Sequence, residues 1–212
     1  MISASLTLSL ESILAKSMKK HLTLAILLVF GAISTASAEL VWKAGYVIMN
    51  NGDTLKGEIK YNTKKELSLF SKVPFRQGEV VKTYKPDQIK EFSYDETRFL
   101  TRTMEKELVF LKLVSEGAIN LFEWQFEMQH GEKMVVDKDY YIEKVGSDAK
   151  EPQKLKGNKF KKTVAELMTD NTELVTRVEA DDKKYEIGEM MSVIEEYNVW
   201  YAEQNHEARG TK

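Results

Sequence analysis

Apolar and polar positions alternate with a period of two through most of the chain and switch to a helical period near its end. The first alternating stretch is Gly45–Tyr61. Tyr46 and Ile48 point one way and Val47 and Met49 the other, as in an extended strand. Asn50-Asn51-Gly52-Asp53 interrupts the run. Alternation resumes with Leu55, Gly57, Ile59 and Tyr61 on one side and Thr54, Lys56, Glu58 and Lys60 on the other. The spacing predicts a β-hairpin with its turn at Asn51-Gly52, since Asn-Gly tolerates positive φ, and Asp53 satisfying the turn backbone. Gly57 interrupts the apolar side. A glycine inside a strand marks a bulge, a bend or a close approach, and a bend that starts to curl the sheet is expected here.

Further strands follow. Glu66–Lys72 alternates through Leu67 and Leu69, Val73–Gly78 reads as a turn, and Glu79–Lys85 reads as a strand ended by Pro86. Ile89, Phe92 and Tyr94, then Phe99–Met104, continue the apolar face. Leu108–Val114 is almost wholly apolar, which predicts a central strand. Ala118–Met128 carries Phe122, Trp124, Phe126 and Met128 on one face and Glu123, Gln125 and Glu127 on the other. Lys133–Val136 and Tyr140–Val145 complete the set. Helical spacing begins at Phe160 with Val164, Leu167 and Met168, breaks at the cap-forming Asp170-Asn171-Thr172, and resumes through Leu174, Val175 and Val178. A last helix is expected from Glu186 to Gln204, with Ile187, Met190, Met191, Ile194, Tyr197 and Tyr201 as its stripe. The fold class is therefore α+β: an antiparallel meander curled into a sheet or a small barrel, then a cluster of two to three helices. The β domain spans residues 39–148, a polar linker 149–158, a helical cap 159–205 and a frayed tail 206–212.

The beginning of the chain reads as an address rather than as structure. Lys19, Lys20 and His21 precede an apolar run from Leu22 to Ala32, and Ala36-Ser37-Ala38 places small residues where signal peptidase reads them. Residues 1–38 are thus expected to be a signal peptide cleaved after Ala38, giving a periplasmic or secreted protein. Residues 1–17 either extend the basic region or precede a true start at Met18. The apolar run is short for a membrane span. Removing residues 1–38 takes away Lys16, Lys19, Lys20 and Glu11 and moves the formal charge from −2 to −4.

Composition then narrows the chemistry. Among 212 residues there is no cysteine, so disulfides, thiolate nucleophiles and cysteine lipidation are excluded. The mildly acidic balance gives no footprint for nucleic acid. His21, His130 and His206 lack a paired carboxylate at any motif spacing. Asp137 and Asp139 lack the third acid and the glycine of a calcium loop. Asp181-Asp182 beside Lys183-Lys184 reads as a solvated loop. Gly52 and Gly57 have the spacing of a phosphate loop, but no Lys-Ser/Thr follows and a strand comes next. No catalytic, cofactor or metal residue is assigned. Asn51, Gly52, Asp53 and Gly57 are structural, and Trp200, off the main stripe of its helix, is assigned to packing on the sheet or to a contact surface.

Several of these stretches share a further property. Gly45-Tyr46-Val47-Ile48 with Gly52-Asp53-Thr54-Leu55-Lys56-Gly57-Glu58-Ile59 resembles the G-x-I…G-D-T-x-x-G-x-I opening of a group of little-characterised exported proteins of Bacteroidetes-type bacteria. Tyr84–Phe92, Phe110–Phe122, Glu173-Leu174-Val175 and Tyr185–Asn198 resemble their later segments. Many members carry Cys-Pro where this chain has Asn171 and Thr172. The resemblance implies export and this fold, and it carries no activity.

Three classes of function remain. The first is a non-enzymatic envelope protein that binds a protein, peptide or glycan, with no nucleic acid, no membrane span after signal removal and no lipid anchor. The second is a carboxylate-dependent hydrolase drawing on Glu91, Asp95, Glu116 or Glu123, since two carboxylates suffice for glycoside hydrolysis. The third is a carrier of an apolar ligand inside a barrel. The ladder Phe122, Trp124, Phe126 is assigned to core packing, with a sugar or peptide platform as the alternative.

Overall fold

The computed structural model describes residues 40–62 and 66–210; the expected signal peptide and residues 63–65 of the loop after the first hairpin lie outside them. Ten antiparallel strands form one sheet: β1 Leu40–Met49, β2 Thr54–Asn62, β3 Val73–Gln77, β4 Val80–Tyr84, β5 Ile89–Tyr94, β6 Thr97–Met104, β7 Glu107–Ser115, β8 Ile119–His130, β9 Lys133–Lys144 and β10 Gln153–Lys154. Their order is β10-β9-β8-β7-β6-β5-β1-β2-β3-β4. The sheet is therefore open, with β4 and β10 at its ends, and the small-barrel alternative is corrected. Three helices follow: α1 Phe160–Leu167, α2 Thr172–Ala180 and α3 Ile187–Gly210.

Neighbours in sequence are neighbours in the sheet, with one exception. β1 lies between β2 and β5, so the hairpin expected to organise the chain sits well inside the sheet. Its turn is tied by the Met49 N–H donating to Asp53 C=O and the Gly52 N–H to Met49 C=O. Gly52 adopts φ 96°, the only positive φ in the turn. The Asn51 side chain accepts from the Asp53 N–H at 3.1 Å and donates to the Asp53 carboxylate at 2.7 Å. A Cβ at Gly57 would collide with the Arg76 carbonyl and the Phe75 ring. Close approach of β3 is thus what requires the glycine.

Two segments between β2 and β4 differ from expectation. Glu66–Phe70 is a 3-10 helix, not a strand. Leu69 and Phe70 are adjacent and both buried, which one face of a strand does not allow. Val73–Gln77, expected as a turn, is β3. It tolerates Pro74 because β2 pairs only with Phe75 and Arg76, leaving the missing donor unneeded. The expected strands Lys133–Val136 and Tyr140–Val145 are one strand, β9, paired with β8 along its whole length.

The register places one row of side chains across six strands: Val47, Phe92, Phe99, Lys112, Glu123 and Tyr140 are successive cross-strand partners. The row begins in an apolar core. There Val47, Ile59, Phe92 and Phe99 pack with Leu69 and Phe70 of the 3-10 helix, and the Phe92 and Phe99 rings stack at 4.6 Å. Further along the same face, Ile119, Leu121 and Ile142 lie under the helices, against Phe160, Val164, Met168, Leu174, Val178, Ile194 and Tyr197. The opposite face carries a smaller cluster of Met104, Leu111, Phe122 and Tyr141. Phe110 and Leu111, adjacent and both buried, realise the expected central strand in the middle of β7, while Leu108 and Val114 near its ends are exposed.

The helical cap forms as the pattern predicts. The Asn171 side chain caps α2 by accepting from the Leu174 N–H at 3.0 Å. The linker is pinned rather than free: β10 adds to β9, and Leu155 N–H donates to Tyr140 C=O. Asn198 on α3 completes the docking. Its amide donates to Ile119 C=O at 2.9 Å and accepts from Ile119 N–H at 2.8 Å, replacing a neighbouring strand at the start of β8.

Candidate functional site

A polar belt separates the two apolar cores on the covered face. Lys112 and Glu123 sit opposite each other on β7 and β8. Glu66 at the start of the 3-10 helix accepts from Lys112 at 2.9 Å and from the Tyr94 hydroxyl at 2.7 Å. Gln125 reaches Glu123 at 2.8 Å and Glu66 at 3.4 Å. Lys138 and the Tyr140 hydroxyl close the belt on Glu123 at 3.3 and 3.2 Å. Burial works to raise the Glu123 carboxyl, but the bonds from Gln125 and Lys138 hold it below the usual carboxylate range. Burial, then the bond to Glu66, pushes the Tyr94 phenol up.

The belt coincides with a split in the sheet. Pairing of β7 with β8 ends at Lys112 and Glu123, while β8 and β9 stay paired to His130 and Lys133. Past Trp124 the two strands continue as a ribbon, closed by Gly131-Glu132 with Gly131 at φ 62°. The predicted aromatic ladder runs along this ribbon and grades from core to solvent. Phe122 is fully buried, Trp124 and Phe126 are half-buried with rings 5.3 Å apart, and Met128 is exposed.

Of the carboxylates weighed for hydrolysis, Glu91 and Glu116 are held by one guanidinium, while Asp95 and Glu123 have other partners. Glu91, on the face opposite the belt, accepts from the Tyr46 hydroxyl at 2.6 Å and from Arg98 through two nitrogens at 2.9 and 3.0 Å. Arg98 also reaches Glu116 at 2.6 Å, so this pair of acids meets across a shared guanidinium, whose pKa the Glu91 bond raises. Asp95, in the β5–β6 turn, pairs with Lys43 at 2.5 Å. Glu123 belongs to the belt. The belt's Glu66 was not singled out from sequence, because its role depends on the 3-10 turn. Asn198 was missed for the same kind of reason: a polar residue beside Tyr197 carries no local signal of a bond to β8.

Trp200 is half-buried against the helical core, its ring 5.7 Å from Tyr197. Tyr197 donates to Asp170 at 2.7 Å, and burial, then that carboxylate, raises its phenol. A groove of about 390 Å³ runs between β9 and the start of α3, lined by Lys138, Asp139, Tyr140, Leu155, Lys184 and Ile187 among others. Among the described residues no group of three His, Asp or Glu side chains is placed to hold a metal, and no helix is long and apolar enough to cross a membrane. No protein-family model, curated protein or solved structure matches this chain.

Proposed function

We propose that this chain is an exported envelope protein, periplasmic or secreted, that works as a non-enzymatic binding or interaction module. The β8–β9 ribbon is the observation that carries the reading. It presents Met128, Met134, Val135 and Val136 with 40%, 62%, 39% and 57% of their surface exposed. Apolar side chains gathered on a projecting element mark an interaction surface far more than single exposed residues do. The basic–apolar–small pattern ending at Ala38 supports export, as does the resemblance of the Gly45–Ile59 hairpin to those of exported proteins.

Two measurements test the two halves of this reading. N-terminal sequencing of the protein recovered from envelope and medium fractions is expected to begin at Glu39; a recovered form retaining Leu22 ends the export reading. Photo-crosslinking residues installed at Met128 or Val136 are expected to form adducts in the producing cell, whereas one at Val80 on β4 is not. If the ribbon positions give no more adduct than Val80, the ribbon is not the binding surface.

A further inference from the structure

β9 leaves its outer edge open along the ribbon as far as Val136; at Lys138 the outward N–H donates to the Asp137 carboxylate at 2.8 Å. β10 pairs only with Tyr141 and Ile142. The hairpin closes at His130 and Lys133 across the two-residue turn Gly131-Glu132. In a hairpin of this kind the closing pair exchanges both backbone bonds, and alternate residues then face outward. Lys133, Val135, Asp137 and Asp139 therefore direct their N–H and C=O to β8. Met134, Val136, Lys138 and Tyr140 direct theirs away from it. The bond from Leu155 N–H to Tyr140 C=O has that phase.

An added antiparallel strand must set its own outward residues against these. The sequence Glu132-Lys133-Met134-Val135-Val136-Asp137-Lys138 does so against itself. Centred on Val135, two copies place Glu132 opposite Lys138 of the second copy, Lys133 opposite Asp137, Met134 opposite Val136, and Val135 opposite Val135. Every charge meets its opposite, and every apolar residue meets an apolar one. A shift of one residue sets outward backbone against inward backbone. Recentring on Val136 puts Val135 against Asp137 and Met134 against Lys138. Recentring on Met134 puts Val135 against Lys133 and Val136 against Glu132. The favoured register also brings the second copy's Gly131 opposite Asp139, where the groove between β9, Leu155 and the start of α3 leaves space for a turn.

We propose that the β9 edges of two copies pair antiparallel about Val135, joining two sheets into one across a two-fold axis. The proposal rests on the reading of the ribbon as an interaction surface and names its partner as this same chain. Seven residues per copy make a small interface, so dissociation in roughly the micromolar range or weaker is expected.

Sedimentation equilibrium of the purified protein over about three decades of concentration, up to the millimolar range, is expected to show a monomer–dimer equilibrium. Lys133→Asp sets an acid against Asp137 at both symmetry-related positions of the dimer, and Asp137→Lys sets a cation against Lys133 at both. Each variant alone is expected to weaken the dimer at least about tenfold. An equal mixture of the two restores it, because each then meets its opposite, and that recovery also shows both are folded. Val135→Cys, in a chain otherwise free of cysteine, is expected to crosslink on oxidation faster than Val81→Cys on the β4 edge. A protein that stays monomeric throughout, a dimer untouched by the single variants, or a mixture that does not recover overturns the pairing. A monomer whose ribbon still forms adducts with other proteins in cells overturns self-pairing alone; the loss of both removes the interaction reading as well.

Discussion

Asn198 is the side chain whose role is most local and most exposed to test. It takes the place of a strand at Ile119, meeting both the N–H and the C=O. Asn198→Ala leaves two poorly hydrated backbone groups unpaired, and a loss of about 2 kcal/mol is expected in urea unfolding. Glu123 makes a pH prediction. Its carboxyl titrates below the ordinary range in the folded protein, so its contribution is present above the unfolded carboxylate pKa and is lost as pH falls through the lower folded value. Glu123→Gln is expected to flatten the acid limb of a stability–pH curve recorded by thermal unfolding. At the alkaline end, burial, then the charges of Asp139 and Glu105, pushes the Tyr141 phenol up to about 12. Its contribution is present below the unfolded tyrosine value and is lost as pH rises toward 12. An ultraviolet titration is expected to show several tyrosines ionising late, Tyr94, Tyr141 and Tyr197 among them, and Tyr141→Phe to remove the step at about 12 and leave the others.

At the scale of elements, the pattern was most readable where one face is buried and the other is wet. β1, β2 and the helix break at Asn171 follow from period and cap chemistry alone. The 3-10 helix at Glu66–Phe70 was not legible, because Leu67 and Leu69 alternate like a strand while the burial of Phe70 depends on Phe99, far along the chain. β3 was hidden by Pro74, whose tolerance depends on how little β2 pairs with it. The belt was illegible for the same reason. Glu123 reads as the solvated side of an amphipathic strand, and only the register of β7 and β9 shows that Lys112 and Tyr140 flank it. The ribbon's exposed apolar run, by contrast, was visible as residues but not as exposure, since nothing local says that β7 parts from β8 at Lys112. Gly57 gives the element-scale test. A methyl there meets the Arg76 carbonyl and the Phe75 ring, so Gly57→Ala is expected to cost about 1–3 kcal/mol by forcing β3 away, read as a lower unfolding midpoint at unchanged slope.

For the whole molecule, the helical cap and the sheet share one apolar core, with Ile119, Leu121 and Ile142 supplied by strands and Phe160, Ile194 and Tyr197 by helices. A chain truncated after Val145 exposes that strand surface and is expected to lose its cooperative thermal transition; a truncated form as stable as the full chain would show that the cap is dispensable. The place of β1 has a consequence in time rather than in energy. Every other strand pairing among the described residues joins consecutive strands, but β1 waits for β5, which arrives only after β2, β3 and β4 have been made. A chain that emerges from its N-terminus therefore carries an open, half-apolar edge at Gly45–Met49 until Ile89–Tyr94 follows. Joining that seam closes the longest loop of the sheet and is the slow step its topology dictates. Substitutions along β1 and β5 are the ones that would lengthen the interval in which an unfinished sheet can pair with the wrong strand.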